Sequence, residues 1–293
     1  MNIAIVSGKG GAGKTTIATN LFEVLRTTSD LSVELIDANV EQPNAHLFVE
    51  SLFNDDCITK VIQSNIPSFD TDKCTFCGRC VHFCAYNAIV MVKEVKQISV
   101  YEDICKSCGA CTYACNDSAI FEVSRIIGDV SVSNEGNAKF VEGRLSIGST
   151  LVKPIIKAVK REITKTSISI IDTPPGISSY ISEIIYDANF VIVVAEPSVF
   201  GLHDLKLMIK SLNDLRKDFG VVVNRFRGEY NEIHEYLKEN NIPLLMNLPF
   251  KTEYAEWNSQ TKLLVNNDDS LNSDFLKLFE EVKSIYIQKS MYR

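Results

Sequence analysis

Residues 8–15 combine glycines with a lysine and a threonine at a spacing that suits phosphate binding. They read G-K-G-G-A-G-K-T and fit the pattern G-x-x-x-x-G-K-[ST]. Glycines let backbone N–H groups curl around phosphate oxygens, and the N-terminus of a following helix adds a favourable dipole. Lys14 would then reach the β- and γ-phosphates of a nucleotide, and the Thr15 hydroxyl would coordinate Mg²⁺. The pattern predicts a nucleoside triphosphate site rather than a glycine turn followed by a surface lysine.

Cysteines form the second chemical pattern, because all but Cys57 fall into two quartets of identical spacing. Each quartet reads C-x-x-C-x-x-C-x-x-x-C, and the second begins 31 residues after the first. This is the spacing of bacterial ferredoxins, in which the fourth cysteine of each quartet binds the other [4Fe–4S] cluster. The spacing therefore predicts two clusters, bound by Cys74, Cys77, Cys80 and Cys115 (cluster 1) and by Cys105, Cys108, Cys111 and Cys84 (cluster 2).

Other interpretations of the cysteines are weaker. A zinc site needs only four tetrahedral ligands and no third cysteine in the same loop. A disulfide framework is typical of small secreted domains, and this chain is neither small nor visibly exported. Ala85 and Asn116 stand where ferredoxins usually have proline, a departure that bears on the exposure and potential of the clusters. Cys57 has no partner in the sequence, and we expect it to be a buried apolar residue.

The segments around the phosphate loop alternate between strands and helices. Apolar runs predict strands at residues 3–6, 33–36, 168–172, 190–195, 220–224 and 244–248, and a hairpin at residues 129–132 and 138–142. Helical spacing of apolar residues predicts helices over residues 17–25, 151–163, 205–215 and 274–287, the last docked on the body of the domain. This succession favours an α/β fold of the P-loop NTPase type, with a mostly parallel sheet and helices on both faces.

The alternation of strands and helices is interrupted between residues 71 and 122, where the cysteine quartets lie. We predict that residues 1–70 and 123–293 are the two parts of one P-loop ATPase domain. Residues 71–122 would form a small α+β insert that resembles a bacterial ferredoxin with two [4Fe–4S] clusters. The duplicated spacing suggests two similar halves packed around a pseudo-twofold axis.

Composition and charge narrow the classes of protein. The chain has 293 residues, a formal net charge of −7 and 45% hydrophobic residues, an ordinary globular balance. A net acidic chain is a poor default binder of nucleic acid, so we expect no nucleic-acid partner. Its apolar runs are too short for a membrane span, and its first residues enter a strand directly, with no signal peptide. We therefore expect a cytoplasmic protein without stable membrane insertion.

Lys9, directly after the first glycine of the phosphate loop, adds a resemblance to a known family. The loop K-G-G-A-G-K-T-T resembles the deviant Walker A motif of the MinD/ParA/Mrp group of P-loop ATPases. In that group the additional lysine contacts a nucleotide bound by the partner subunit, and ATP is held between two chains. The resemblance implies a homodimer that binds ATP and Mg²⁺, with Lys9 acting across the interface. The nucleotide would also contact the other loop residues, Gly8, Gly10, Gly11, Ala12, Gly13 and Thr16.

Two acidic segments match the same family. L-I-D-A-N-V-E-Q-P-N, at residues 35–44, resembles the family segment D-x-D-x-x-x-P-N. By resemblance, Asp37 lies near Mg²⁺ and the attacking water, whereas Asn39 replaces the second aspartate of the motif. An amide orients water but cannot accept its proton, so hydrolysis should be slow. I-I-D-T-P-P-G, at residues 170–176, resembles Walker B and switch II, and Asp172 would hold Mg²⁺ through water. The predicted catalytic residues are Lys9, Lys14, Asp37, Asn39 and Asp172.

Two further segments resemble the family's base-binding region. Asn224, in V-V-V-N-R, would read the edge of adenine, because its amide supplies one donor and one acceptor. Arg225 follows it directly. Pro249 and Phe250 resemble the loop that borders the base. These four residues complete the predicted ATP site.

Together the motifs predict an ATPase that couples nucleotide-driven dimer switching to two [4Fe–4S] clusters. Its output would be the assembly or activation of another metallocluster protein, or low-potential electron delivery to a redox partner, and the sequence does not choose between them. The alternative is a positioning or partition ATPase of the MinD/ParA kind with structural clusters. A scaffold that builds a cluster at its dimer interface, as Mrp-type proteins do, is a weaker third interpretation, because no cysteine follows Cys115.

Overall fold

A large sheet organises the chain, which the computed structural model describes at residues 1–28, 30–49, 57–177, 179–228 and 231–290. The strands are β1 (Asn2–Val6), β2 (Val33–Asp37), β3 (Ile58–Phe69), β4 (Ile89–Val92), β5 (Gln97–Val100), β6 (Ile120–Glu135), β7 (Ala138–Leu145), β8 (Ile168–Asp172), β9 (Phe190–Ala195), β10 (Phe219–Phe226) and β11 (Leu244–Pro249). The helices are α1 (Lys14–Thr28), α2 (His46–Val49), α3 (Arg79–Phe83), α4 (Ala110–Ala114), α5 (Val152–Arg161), α6 (Ser179–Asp187), α7 (Val199–Asp214), α8 (Glu232–Glu239), α9 (Thr252–Ser259) and α10 (Ser270–Ser290).

The strand order of this sheet is β11-β10-β9-β1-β8-β2-β7-β6-β3. From β11 to β7 all neighbours are parallel, whereas β6 and β3 add antiparallel pairs at one edge. Strands β1, β8, β9 and β2 are buried along most of their length, as expected for a parallel sheet covered on both faces. The predicted mostly parallel α/β sheet is confirmed.

Helices cover both faces of the sheet. On one face α1 and α10 pack together, with Phe22 and Phe275 fully buried. On the other face α5, α6, α7 and α8 enclose a second apolar core that includes Ile155 and Leu212. The C-terminal helix therefore docks on the body of the domain, as predicted, because Phe275, Leu278 and Val282 face α1 rather than solvent.

The cysteine quartets lie in a segment, residues 70–119, that connects β3 to β6. We call it the cysteine segment. It contains the short helices α3 and α4 and the antiparallel pair β4–β5. Its backbone repeats as its sequence does: Phe76 and Ser107, and likewise Gly78 and Gly109, have positive φ angles between 53° and 83°. The glycines precede α3 and α4 at equivalent positions.

Several elements differ from the sequence-based expectation. The hairpin strands β6 and β7 are longer than predicted, and β3 was not predicted at all, because much of β3 and β6 is exposed and carries mixed polar and apolar residues. The predicted helix at residues 151–163 is confined to Val152–Arg161, and the last helix begins at Ser270 rather than at residue 274. Cys57 is exposed, so the expectation of a buried cysteine there is wrong.

Candidate functional site

The phosphate loop lies between β1 and α1, as its motif predicts. Gly11 and Gly13 have φ angles of 76° and 98°, which a residue with a side chain adopts only with strain. A Cβ on Gly13 would also lie 2.1 Å from Nδ2 of Asn224. These glycines are therefore required for the path of the loop over the first turn of α1.

Lys14 is buried at the base of this loop. Its Nζ donates a hydrogen bond to Oγ of Ser7 at 3.1 Å. Burial lowers the pKa of Lys14, and the nearby Asp172 opposes that effect. A buried ammonium group without a full counter-ion is a ready partner for phosphate oxygens.

Three acidic residues form a row across neighbouring strands beside the loop. Asp172 on β8 is in register with Asp37 on β2, and Asp37 is in register with Glu142 on β7. Burial raises the pKa of both aspartates. The charge of Asp37 adds to the effect on Asp172, and that of Glu142 adds to the effect on Asp37. A divalent cation would relieve this repulsion.

The side chains around Asp172 suit Mg²⁺. Oγ1 of Thr15 donates to Oδ2 of Asp172 at 2.5 Å, and Oδ1 of Asp172 is buried with no hydrogen-bond partner in the described chain. Oδ1 of Asn44 also lies 3.1 Å from the Thr15 hydroxyl. A hydroxyl, carboxylates and an amide oxygen are the hard oxygen ligands that Mg²⁺ prefers.

Asp37 and Asn39 shape the loop after β2. Asp37 accepts hydrogen bonds from the backbone N–H groups of Asn39, Asn44 and Ala45 at 2.9–3.0 Å. The side-chain amide nitrogen of Asn39 donates a hydrogen bond to the backbone carbonyl of Gln42 at 2.8 Å. Asp37 therefore fixes the backbone of this loop, while the role of Asn39 towards water stays a prediction.

The predicted base-binding residues border one cavity of about 220 Å³. Thr16, Asn224, Arg225, Pro249 and Phe250 all line it. The amide of Asn224 is engaged within the chain, since its nitrogen donates to the carbonyl of Ala12 at 2.8 Å and its oxygen accepts from the N–H of Arg225 at 2.9 Å. Its role as a reader of adenine stays a prediction, and contact with a base requires at least one of these bonds to exchange.

The cysteines line two separate cavities, and each cavity mixes the quartets. Cys74, Cys77, Cys80 and Cys115 line one small cavity of about 20 Å³. Cys84, Cys105, Cys108 and Cys111 line another of about 20 Å³. Backbone N–H groups point at sulfur in both, from Phe76 to Cys74 at 3.4 Å and from Ala88 to Cys84 at 3.3 Å.

Comparison with known proteins assigns the family. The CobQ/CobB/MinD/ParA nucleotide binding domain matches residues 3–265. The chain belongs to this family. The MinD/ParA family is a family of P-loop ATPases, and its fold accommodates a nucleotide with Mg²⁺. The solved structures that resemble this chain include MinD of Pyrococcus horikoshii complexed with Mg-ADP, at 19% identity and a TM-score of 0.56, with 96% of this chain and 95% of that one covered.

Other relatives span nearly the whole chain. An uncharacterized protein of Methanocaldococcus jannaschii is 28% identical over 287 residues, which cover 97% of this chain and 96% of the relative. The Cyanothece McdA(D38A)-ATP complex has 18% identity and a TM-score of 0.56, with 97% of this chain and 95% of that one covered. At such identities the structural likeness establishes the fold alone.

The structure places several residues at the candidate site that were not predicted from the sequence. Ser7, Asn44 and Glu142 contact or adjoin the predicted nucleotide site, and Tyr254 and Asn258 of α9 line the base cavity. Asn44 lies in the segment at residues 35–44 that resembles the family pattern, and that position was a signal by which the sequence could have identified it. Glu142 had none, because its neighbours come from the pairing of β7 with β2.

In the part of the chain that the structure describes, no group of three or more His, Cys, Asp or Glu side chains is placed to hold a metal ion. No helix in the same part of the chain is both long and apolar enough to cross a membrane.

Proposed function

We propose that this MinD/ParA-family chain binds Mg–ATP between two copies of itself and carries two [4Fe–4S] clusters in an insert spanning residues 71–122. The observation that carries the proposal is the division of the cysteines between two cavities. Each cavity receives three cysteines of one quartet and the fourth of the other. This is the crossed arrangement that the ferredoxin spacing requires.

The spacing of the cysteines favours four-iron clusters over single zinc ions, because a zinc site needs no third cysteine in the same loop. Each thiolate of a four-iron cluster binds a different iron, so the sulfur atoms stand farther apart than around one zinc ion. When bound, the clusters would supply one-electron transfer. Cys77 and Cys108 are exposed, so each cavity has a ligand close to solvent.

Contacts between the nucleotide site and the cysteine segment support coupling. The carbonyl of Val40, in the loop after Asp37, accepts a hydrogen bond from the N–H of Leu145 at 2.8 Å. The following loop reaches the second quartet, where Oγ1 of Thr150 donates to the carbonyl of Asp103 at 2.9 Å and accepts from Nζ of Lys106 at 2.7 Å. A movement of the loop after β2 would therefore reach residues next to Cys105. The proposed output is metallocluster assembly or activation, or electron delivery to a metalloprotein or redox partner.

Anaerobic purification tests the cluster and coupling proposals together. Iron and sulfide analysis should give about eight irons per chain. The electron paramagnetic resonance spectrum of the reduced protein should change when Mg–ATP is added. Colourless protein without iron would contradict the clusters. An iron-loaded protein whose spectrum and oligomeric state ignore ATP would contradict the coupling alone.

A positioning or partition ATPase is the second candidate, and the comparisons favour it. The similar structures include a septum site-determining protein and a cell division ATPase. In that case the clusters would be structural, and the ATP-bound dimer would attach to a membrane or to DNA. Co-sedimentation with lipid vesicles and with DNA, each with and without ATP, separates the candidates. Strong ATP-dependent attachment supports positioning, whereas no attachment together with ATP-linked cluster reduction supports coupling.

Replacing Asn39 by aspartate should accelerate ATP hydrolysis. The carboxylate would supply the proton acceptor that an amide lacks, an effect typically on the order of a hundredfold for a well-placed general base. Turnover of Mg–ATP by the two purified proteins at equal dimer concentration measures it. The matched variant Gln42→Glu, at an exposed position, controls for added negative charge in the same loop. Equal rates for the original chain and N39D would contradict the assignment of slow hydrolysis to Asn39.

A further inference from the structure

Lys9 does not project freely from its loop. Its Nζ lies 2.8 Å from Oε2 of Glu196, and the other carboxylate oxygen of Glu196 accepts a hydrogen bond from Nη1 of Arg225 at 3.2 Å. The two cations lower the pKa of Glu196, and Lys9 has the larger effect. Lys9 and Glu196 are partly exposed, at 36% and 26% of the side-chain surface.

The strand order places this group of three charges. Lys9 follows β1, Glu196 follows β9 and Arg225 lies at the end of β10, and these three strands are neighbours in the sheet. Gly201 lets the backbone turn tightly after β9, because a Cβ there would lie 2.0 Å from the carbonyl oxygen of Glu196. Arg225 has a φ angle of 60°, so its backbone also departs from an ordinary strand. Nonlocal pairing therefore builds the group beside the phosphate loop.

We propose that Glu196 is a positioning residue for Lys9: it holds the lysine against its own subunit until a bound triphosphate in a second copy of the chain takes its place. This proposal rests on the ATP-bound homodimer of the proposed function. A triphosphate carries several negative charges and outcompetes one partly exposed carboxylate for a lysine.

The contact between Arg225 and Glu196 allows Lys9 to leave Glu196 for the triphosphate of a second copy. When Lys9 leaves, Glu196 keeps its contact with Arg225, so no partly buried carboxylate loses all of its partners. Arg225 also lines the base cavity next to Asn224. The carboxylate that holds Lys9 is therefore joined directly to the wall of the candidate adenine site.

Chemical labelling tests the contact without nucleotide. In the variant Glu196→Gln, we expect amine acetylation of Lys9, followed by mass spectrometry, to be roughly two- to fivefold faster than in the original chain. Glu196→Asp, which keeps the charge, should restore slow labelling. Glu253→Gln removes an exposed acidic residue elsewhere and should leave Lys9 unchanged. Equal labelling of Lys9 in the original chain and E196Q would overturn the proposal.

Nucleotide-dependent dimerisation tests whether the release of Lys9 from Glu196 favours the dimer. Sedimentation velocity with a non-hydrolysable ATP analogue should show E196Q dimerising at a several-fold lower analogue concentration than the original chain, with E253Q unchanged. An equal or higher concentration for E196Q would overturn the holding role, because Glu196 would then support the dimer itself. If the original chain binds the analogue and stays monomeric, the ATP-bound dimer is contradicted, and so is the transfer of Lys9 to the partner's nucleotide. The labelling experiment still decides whether Glu196 holds Lys9.

Discussion

Replacing Lys14 by alanine is expected to lower the affinity for Mg–ATP by on the order of a hundredfold or more, since one preorganised buried donor to an anion is commonly worth that much. Lys14 is buried beside Ser7, and burial lowers its pKa. A bound phosphate therefore stabilises its ammonium group strongly, because it supplies the counter-ion that the buried charge lacks. Titration of the monomer with a fluorescent ATP analogue measures the change. A K14A variant that binds the analogue as tightly as the original chain would remove the phosphate loop from the proposed site.

Lys9→Ala is the matched control for the loss of a lysine from the same loop. Lys9 points away from the base of the loop, towards Glu196, so a single subunit should keep most of its affinity for the analogue. Dimerisation should be lost, because the proposed contact of Lys9 is with the partner's nucleotide. The two lysines are therefore expected to separate nucleotide binding from dimer formation. Equal loss of binding in both variants would contradict an action of Lys9 across the interface.

Local sequence was sufficient for the elements that carry the motifs. Residues 8–15 encode a loop whose glycines adopt positive φ angles, and the apolar runs on either side can only be buried as β1 and α1. The strand that ends at Asp172 is mostly apolar and is buried on both faces, which is typical of a parallel strand between two layers of helices. In these places one short stretch of chain determines both the element and the site.

Nonlocal contacts were beyond the reach of the sequence. Glu142 joins the acidic row only because β7 pairs with β2, and Glu196 meets Lys9 only because β9 lies beside β1. Neither neighbour relation follows from a motif. Strand β3 was missed for a different reason: several of its residues are exposed, so hydrophobic patterning gives little signal there. The exposure of Cys57 likewise depends on where the strand starts relative to the sheet edge.

Two double cysteine variants should differ strongly in iron content if each cluster is bound by three cysteines of one quartet and the fourth cysteine of the other. Cys77 and Cys115 line the same cavity, so Cys77→Ala with Cys115→Ala should remove one cluster and leave about four irons per chain. Cys77 and Cys84 line different cavities, so Cys77→Ala with Cys84→Ala should damage both clusters and leave little iron. Iron and sulfide analysis after anaerobic purification gives the comparison.

The same pair of variants distinguishes crossed from sequential ligation, because sequential quartets would reverse the result. Cys77 and Cys84 would then share a cluster, and the variant lacking both would retain about four irons. Cys57→Ala, at an exposed position outside both cavities, should retain the iron of the original chain. Binding of the ATP analogue by every variant would show that the nucleotide-binding domain still folds, so that iron loss reports on ligation rather than on unfolding. Equal iron in the two double variants would mean that the cavities do not define the ligand sets.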